Sequence, residues 1–439
     1  MRNYPNLAIQ IPEIFLPNKN INFQKWAVIA CDQFTSQPQY WQEVENFVGE
    51  SPSTLKMILP EAYLGKPEEA KRAADAQTAM QNYLQQGVLE PRQEVILVKR
   101  TIHGKCRHGI LLALDLDQYD YAPGSQTLIR ATEGTIVERI PPRMRIREKA
   151  LLELPHILVL IDDPQHTVLQ PLIEQAAQFE SVYDFELMQN SGHLNGYRVP
   201  DSLVANSLIP ALEKLAQPAG FQARYGVGED KGVLLFAVGD GNHSLATAKA
   251  CWGKIKPTAG PDHPARFALV EIENVHDSAL EFEPIHRVLF KPQLDLDTAL
   301  KQFSDVSFTL AACESRDQMI QSVKQRKTGN QQIIGVITAT GYSLIKFTNP
   351  TANLPVGTLQ AFLDRWLIDG TAGEIDYVHG KDAVCGLGCE EQNLGFYLPA
   401  MSKSDLFKTV ILDGVLPRKT FSMGEAYEKR FYLESRRIQ

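Results

Sequence analysis

Residues able to do chemistry are most concentrated in one short polar stretch, Gly239-Asp240-Gly241-Asn242-His243-Ser244. Asp240 and His243 can exchange protons with a bound molecule, and we expect them to be catalytic. Asn242 and Ser244 can donate hydrogen bonds to phosphate or carboxylate oxygens, and the two glycines let the backbone approach a ligand closely. We therefore expect the remaining four residues of the stretch to bind the ligand.

The pattern on either side of this stretch predicts a strand that turns directly into a helix. Val233–Val238 is an unbroken apolar run typical of a buried strand, and helix formers follow from Ser244 onward. The first N–H groups of a helix have no partners within it, and the helix dipole is positive there, so this junction suits an anion. The alternative is a tight connection in which Asp240 or Asn242 caps the helix and His243 packs beneath it.

Two other segments carry cationic side chains that could neutralise a bound anion. Residues 124–143 are rich in arginine, which binds phosphate or carboxylate through paired hydrogen bonds, and a polar loop at 416–426 could fold back onto the first domain. For residues 124–143, an ordinary solvated face with surface ion pairs explains the composition equally well. The candidates to bind the anion are Arg130 and Arg143 in the first segment and Arg418 and Lys419 in the second. Glu133, in the first segment, is a candidate catalytic residue.

Carboxylates also follow two other predicted strands. Asp32 comes after the strand Trp26–Ala30, where capping of the next helix is favoured over membership of a site. Asp162 and Asp163 come after the strand Ile157–Ile161 and could hold Mg²⁺, but an aspartate before proline also begins turns, and the turn is preferred.

Size and composition exclude several classes of protein. With 439 residues, a net charge of −8 and no apolar run long enough for a membrane helix, the chain is expected to be a soluble cytoplasmic protein with neither a membrane nor a nucleic-acid partner. The six cysteines have no paired spacing and are expected to be reduced. The chain has no motif typical of P-loop enzymes, zinc proteases or serine hydrolases.

The order of predicted elements indicates an α+β protein. A strand, turn, helix and strand around the polar stretch form a βαβ-like unit, while many hairpins elsewhere favour a mixed sheet with flanking helices. A change of pattern near Lys291-Pro292 predicts two domains. Residues 1–290 would carry the site, and residues 291–439 would form a smaller α+β domain.

Five separated motifs resemble a bacterial family known as a domain of unknown function (DUF1015 type). They are Cys31-Asp-Gln-Phe-Thr-Ser-Gln37, Leu128-Ile-Arg-Ala-Thr-Glu-Gly-Thr135, Gly239–Ser244, Pro284-Ile-His-Arg287 and Leu416–Glu425. More distantly, the strand, Gly-Asn-His and helix arrangement resembles the phosphate-binding corner of the ParB and sulfiredoxin superfamily, which includes nucleotide-dependent free-serine kinases. That resemblance implies a nucleotide or phosphate held at the helix start. Ser244 stands where the superfamily has arginine, so Arg130, Arg143 or Arg418 would have to supply the charge.

These observations favour a phosphotransferase acting on a small hydroxylated molecule. ATP or another phosphate donor would bind at residues 239–244, where Mg²⁺ could bridge its phosphate oxygens, and Asp240 or Glu133 would take the proton of the accepting hydroxyl. The rival hypothesis is a sensor that binds a nucleotide at the same turn without catalysis. Loss of turnover with retained binding in an Asp240→Asn variant would distinguish the enzyme from the sensor.

Overall fold

The computed structural model describes residues 2–325, 331–350 and 352–439, and these divide into two compact units. The first unit contains residues 1–280 and 424–439, and the second contains residues 281–423. The division lies ten residues before the predicted boundary at 291, because the strand Phe282–Phe290 pairs within the second sheet. The last sixteen residues return to the first unit, since they pair with its strands.

The first unit is built from short and long strands around one large sheet, with helices on both faces. Its strands are β1 (Asn3–Tyr4), β2 (Ile9–Gln10), β3 (Glu13–Pro17), β4 (Val28–Ile29), β5 (Leu89–Gln93), β6 (Val95–Ile102), β7 (Lys105–Asp115), β8 (Tyr119–Asp120), β9 (Ile129–Ala131), β10 (Leu152–Glu153), β11 (Leu158–Ile161), β12 (Glu180–Glu186), β13 (His193–Val199), β14 (Phe236–Asp240) and β15 (Phe267–Asn274). Its α-helices are α1 (Phe23–Trp26), α2 (Pro38–Val48), α3 (Glu69–Gln85), α4 (Ile140–Arg147), α5 (Gln170–Ile173), α6 (Asp201–Leu203), α7 (Ile209–Leu215), α8 (Pro218–Tyr225) and α9 (Asn242–Ile255).

The main sheet is mixed, which confirms the predicted fold class. Its order is β12-β13-β6-β7-β15-β11-β14-β9-β8, with β2 added on β7. β14 runs antiparallel to β11 and parallel to β9, so it is an interior strand. Neighbouring residues of β7 face opposite sides of the sheet: Leu111 belongs to one buried core and Leu112 to the other. Because both faces are covered, β11 and the first three residues of β14 are apolar on both sides of the sheet, as the runs in the sequence predict.

The second unit contains a second sheet of seven strands in the order β17-β19-β18-β21-β16-β20, with β22 paired to β16. These strands are β16 (Phe282–Phe290), β17 (Ser307–Cys313), β18 (Gln331–Thr338), β19 (Gly341–Thr348), β20 (Glu374–His379), β21 (Asn393–Tyr397) and β22 (Phe421–Met423). Its helices are α10 (Leu296–Phe303), α11 (Arg316–Lys324), α12 (Pro355–Asp369), α13 (Lys381–Gly388) and α14 (Lys403–Asp413). Within the described residues, no helix combines the length and apolar character needed to cross a membrane.

The returning C-terminal segment, residues 424–439, adds two short strands to the first unit. They are β23 (Phe431–Tyr432), which pairs with β4, and β24 (Arg436–Arg437), which pairs with β10. The indole of Trp26 donates a hydrogen bond to the carbonyl of Leu433 at 2.9 Å and fixes the segment beside β4. The segment therefore lies against the loop that follows β4, which begins with Cys31 and Asp32.

Candidate functional site

The polar stretch forms the predicted strand-to-helix turn. β14 ends at Asp240, Gly241 has a φ of 80°, and α9 begins at Asn242. A Cβ atom at Gly241 would lie 3.0 Å from Cγ1 and 3.1 Å from Cα of Ile157, so both the backbone angle and the close approach require glycine. No side chain caps α9, and the capping alternative for Asp240 or Asn242 is therefore not what the structure contains.

Asn242 instead fastens the turn to the loop that follows β9. Its Oδ1 accepts a hydrogen bond from the backbone N–H of Thr132 at 3.3 Å, and its Nδ2 lies 3.5 Å from the carbonyl of Val238. The N–H groups of Ser244 and Leu245 both donate to the carbonyl of Gly241. The N–H groups of Asn242 and His243 have no hydrogen-bond partner among the described residues, so they are available to an anion at the helix start.

Lys429 supplies a positive charge at this turn. Its Nζ lies 3.0 Å from Oδ2 of Asp240, while Oδ1 of Asp240 accepts the N–H of Gly241 at 2.9 Å. Both atoms of the pair are shielded, with side-chain exposures of 13% for Lys429 and 25% for Asp240. The cation that pairs with Asp240 is therefore a lysine of the C-terminal segment and not one of the three arginines named from the sequence.

A chain of hydrogen bonds connects Ser244 to the loop after β4. The Oγ of Ser244 lies 2.9 Å from Nε2 of His156, and Nδ1 of His156 lies 2.7 Å from the hydroxyl of Tyr432. That hydroxyl is also 3.1 Å from Sγ of Cys31. Burial and the nearby charge of Asp32 raise the pKa of the Cys31 thiol to about 12, so it stays protonated at neutral pH. The chain can therefore position His156 and Ser244, but Cys31 is not a reactive thiolate.

Asp32 lies beside this chain of hydrogen bonds, and its side chain is partly buried. Its Oδ2 is 3.9 Å from Nε2 of His156, and its Oδ1 accepts a hydrogen bond from Nε2 of Gln33 at 2.9 Å. Burial acts to raise the pKa of the Asp32 carboxyl, but the charge of His156 and the hydrogen bond from Gln33 outweigh it, and the pKa is lowered. The charge of Lys429 lowers it further. Asp32 is therefore ionised at neutral pH, and capping of α2 is not its role, because that helix has no side-chain cap.

Arg143 and His243 complete the described cluster. Arg143, on α4, donates to the carboxylate of Glu61. The imidazole Nε2 of His243 lies 3.3 Å from the N–H of Ile136 and can accept its hydrogen bond. Burial and the nearby charge of Arg143 lower the pKa of His243, so His243 is neutral at pH 7 and has one nitrogen able to accept the hydrogen bond from Ile136.

The other predicted cations lie elsewhere. The guanidinium of Arg130 is buried and donates to the carbonyls of Thr127 and Gly232, at the opposite end of β14 from Asp240. Burial lowers the pKa of Arg130 to about 10. It therefore ties backbone segments together and does not face the turn. Glu133 lies two residues beyond β9 and is partly buried.

Arg418 and Lys419 belong to the second unit. Their backbone carbonyls accept hydrogen bonds from the guanidinium of Arg287, and the Arg418 guanidinium lies 5.4 Å from the ring centre of Tyr377. These contacts give the 416–426 loop a structural role within its own unit. Asp162 follows β11, and its Oδ1 lies 2.6 Å from Nε2 of His276; Asp163 accepts the N–H of Val168, as a turn requires.

A buried network of charges holds the backbone on both sides of Lys429. The guanidinium of Arg100 donates to the carbonyls of Tyr427 and Lys429 at 2.9 and 3.0 Å. Arg430 bridges the carboxylates of Glu271 and Glu434, each at 2.7 Å. Arg100 and Arg430 therefore fix the segment from which the Lys429 side chain extends toward Asp240.

Sequence reasoning missed Lys429, His156 and Tyr432. His156 follows a proline just before β11, and a histidine at the start of a buried strand was the available signal. No local pattern marks Lys429, which lies 189 positions after Asp240 in the chain. The C-terminal residues reach the turn through long-range contacts, among them the pairing of β23 with β4 and of β24 with β10.

The fold and this cluster define an α+β protein whose first unit carries a lysine, carboxylates and a histidine around an uncapped helix start. Residues 15–366 match the family described as protein of unknown function (DUF1015), and the chain belongs to that family. A search of curated proteins gives no significant match.

Several solved structures are similar to the chain. A free serine kinase mutant in complex with AMP has a TM-score of 0.39 and 11% identity, covering 75% of this chain and 92% of that one. SbnI with a C-terminal truncation, from Staphylococcus aureus, has a TM-score of 0.35 and 10% identity, with coverages of 72% and 83%. A conserved hypothetical protein from Pyrococcus furiosus has a TM-score of 0.32 and 11% identity, with coverages of 74% and 90%.

Proposed function

We propose that the first unit binds the phosphates of a nucleotide at the start of α9 and transfers a phosphoryl group to the hydroxyl of a small molecule. The observation that carries this proposal is the pair of open N–H groups, of Asn242 and His243, next to the ammonium group of Lys429. Backbone donors at a helix start and a single lysine are groups that commonly hold phosphate. The cluster also contains an ionised carboxylate, which phosphoryl transfer to a hydroxyl needs and simple anion binding does not.

The roles follow from the hydrogen bonds of each group. Both oxygens of Asp240 are engaged, by Lys429 and by the N–H of Gly241, so Asp240 orients the lysine. Asp32 retains an oxygen, Oδ2, that lies 3.9 Å from Nε2 of His156, and it accepts the proton of the substrate hydroxyl. The hydroxyl oxygen bonds to the terminal phosphorus as the bond from that phosphorus to the nucleoside diphosphate breaks, and Lys429 balances the charge of the departing nucleoside diphosphate. This assignment moves the base from Asp240 or Glu133 to Asp32.

Mg²⁺ fits this arrangement as a companion of the nucleotide. Asp32 and Asp240 are both within the electrostatic reach of Lys429, so the cluster places two carboxylates around one cationic position. Mg²⁺ is commonly bound through one or two carboxylates together with phosphate oxygens. When bound, it would neutralise phosphate charge, and Asp240 is the residue that would hold it, in exchange for its contact with Lys429.

Calorimetric titration with ATP, ADP, CTP and pyrophosphate, each with and without Mg²⁺, tests the binding step. Replacing Lys429 with methionine should weaken nucleotide binding by about 10- to 100-fold, because a charge-assisted hydrogen bond contributes about 1.5–3 kcal/mol. Lys19→Met, at an exposed lysine, is the matched control and should leave binding unchanged. Absence of heat with all four ligands would refute the proposal.

Asp32→Asn tests the catalytic step separately. The amide keeps the size of the side chain but cannot take a proton, so turnover should fall by about 10²- to 10⁴-fold while nucleotide affinity changes little. Formation of ADP in the presence of a panel of alcohols, followed by phosphorus NMR, measures this. Nucleotide binding by the wild type without turnover of any alcohol would instead favour a nucleotide sensor.

A further inference from the structure

A cavity of about 180 Å³ lies directly beside the cluster, between α3, α4 and the start of α9. Its walls are mainly aliphatic and thioether side chains: Met57, Leu59, Leu64, Met80, Ile146 and Leu154. Ser244 and His156 also line it, and they are hydrogen-bonded to each other at 2.9 Å. An apolar space therefore opens onto Ser244 and His156, and Nε2 of His156 lies 3.9 Å from the carboxylate of Asp32, the proposed base.

The polar groups around this cavity are already paired with one another. Glu61 is paired with Arg143, and the guanidinium of Arg147 with the carboxylate of Glu153 at 2.5 Å. The hydroxyl of Tyr432 lies between Cys31 and His156. The aliphatic walls offer no donor or acceptor to a charged or strongly polar group, which would lose its water without compensation. The occupant that fits these walls is uncharged and apolar.

The volume sets the size of the occupant. Apolar protein cavities of roughly 150 Å³ stay free of water and bind benzene. A cavity of about 180 Å³ therefore accommodates one six-membered ring or a branched alkyl group of similar size. An amino acid with a short polar side chain would leave most of this space unfilled.

We propose that the cavity binds the apolar body of the phosphoryl acceptor, so that the acceptor is an alcohol with one ring or a branched alkyl group next to its hydroxyl. The acceptor role rests on the proposed function, whereas the apolar ligand chemistry of the cavity does not. With the ring among Met57, Met80 and Leu154, the hydroxyl meets Ser244 and His156 at the edge of the cavity. A nucleobase is the other small apolar group that could occupy the same space, and the experiment distinguishes the two.

The test is calorimetric titration of the full chain with benzyl alcohol, glycerol, adenosine and ATP. The wild type should bind benzyl alcohol and not glycerol, which lacks an apolar body. Ala150→Leu adds three carbon atoms to the cavity wall and should weaken benzyl alcohol binding by roughly tenfold or more. The same substitution at the exposed Ala74 of α3 is the control and should change nothing.

Met80→Ala is the complementary variant, because it enlarges the cavity and does not depend on tolerance of a larger side chain. It should allow 1-naphthylmethanol, with two fused rings, to bind more tightly than it binds the wild type. No measurable binding of benzyl alcohol to the wild type, or unchanged binding in Ala150→Leu, would overturn the inference. Loss of adenosine binding alone in Ala150→Leu would also overturn it, since the cavity would then hold the nucleobase.

The same titrations separate this inference from the proposed function. If ATP gives no heat while benzyl alcohol binds and responds to Ala150→Leu, the phosphotransferase proposal fails and the apolar ligand site stands. If ATP binds and benzyl alcohol does not, the nucleotide site stands and the acceptor class proposed for the cavity is refuted.

Discussion

Removing the charge of Arg430 should destabilise the first unit far more than removing a surface charge. The guanidinium is buried and lies 2.7 Å from the carboxylates of both Glu271 and Glu434, which are themselves 3% and 1% exposed. Burial acts to lower the pKa of Arg430, but the two carboxylates outweigh it and the pKa is raised, so the group is charged. In Arg430→Met, two negative charges would remain buried without their cation.

The expected size follows from that uncompensated charge. Breaking a buried ion pair by removing one partner costs about 3–5 kcal/mol, and two carboxylates are affected here, so we expect the upper part of that range. This is a large share of the roughly 5–15 kcal/mol that holds a typical domain folded. The double variant Arg430→Met/Glu271→Gln should recover part of the loss, because it leaves one buried carboxylate in place of two.

Urea unfolding followed by tryptophan fluorescence measures the effect, since Trp26 is buried and donates a hydrogen bond to Leu433 in the same segment. Lys71→Met is the control: Lys71 forms a 2.8 Å pair with Asp75 but is 80% exposed, and its loss should cost at most about 0.5 kcal/mol. A change below 1 kcal/mol in Arg430→Met, or no recovery in the double variant, would refute the reasoning.

Three further predictions concern the turn, the second unit and the lysine. Gly241→Ala should destabilise the first unit by about 1–3 kcal/mol, because Gly241 has a positive φ and a Cβ atom there would approach Ile157 closely. Gly253 is exposed within α9 with open space around it, so the control Gly253→Ala should be neutral or stabilising by up to about 1 kcal/mol. Equal changes in the free energy of unfolding of the two variants, measured in urea, would contradict this prediction. Burial, with the charge of the adjacent arginine, lowers the pKa of His286 to about 4, against about 6.5 in an unfolded chain. Because protonation of His286 is less favourable in the folded than in the unfolded chain, the free energy of unfolding of the second unit should be constant above pH 6.5 and fall by up to about 3 kcal/mol as the pH falls toward 4. The fall should be smaller in His286→Gln. Arg100→Met should weaken nucleotide binding, because the backbone carbonyls of Tyr427 and Lys429 lose their hydrogen-bond donor and the Lys429 side chain is held less firmly. Unchanged nucleotide affinity in calorimetry would show that Arg100 does not position Lys429.

The backbone of the site could be predicted from local sequence. An apolar run followed by glycines and helix formers gave the strand, the turn and α9, although β14 begins at Phe236, three residues later than predicted, and extends through Asp240. The helix begins at Asn242, two residues earlier than predicted. Hydrophobic periodicity determines such elements, while the ends depend on the pairing of β14 with β11 and β9, which no local pattern contains.

The charges of the site could not be predicted in the same way. The composition of residues 124–143 fits arginines in a site and arginines on a solvated face equally well, whereas Arg130 is buried and donates to backbone carbonyls. Arg143 does lie at the cluster, because α4 packs against α9. The number of charged residues in the segment does not tell Arg130 from Arg143. What distinguishes them is the direction in which each side chain leaves its strand or helix. The resemblance to the ParB and sulfiredoxin corner stays a prediction.

The dependence of the turn on the C-terminal segment has a further physical consequence. The region matched to the family ends at residue 366, and both Lys429 and Tyr432 come after it. A truncation after Met423 would remove the cation beside Asp240 and the hydroxyl that holds His156, and it would also leave Glu271 buried without Arg430. Stability and ligand binding of the first unit should therefore be lost together in such a truncation. Lys429→Met should reduce ligand binding and leave the stability of the first unit largely intact, because it removes the charge at the turn while Arg100 and Arg430 still hold the segment.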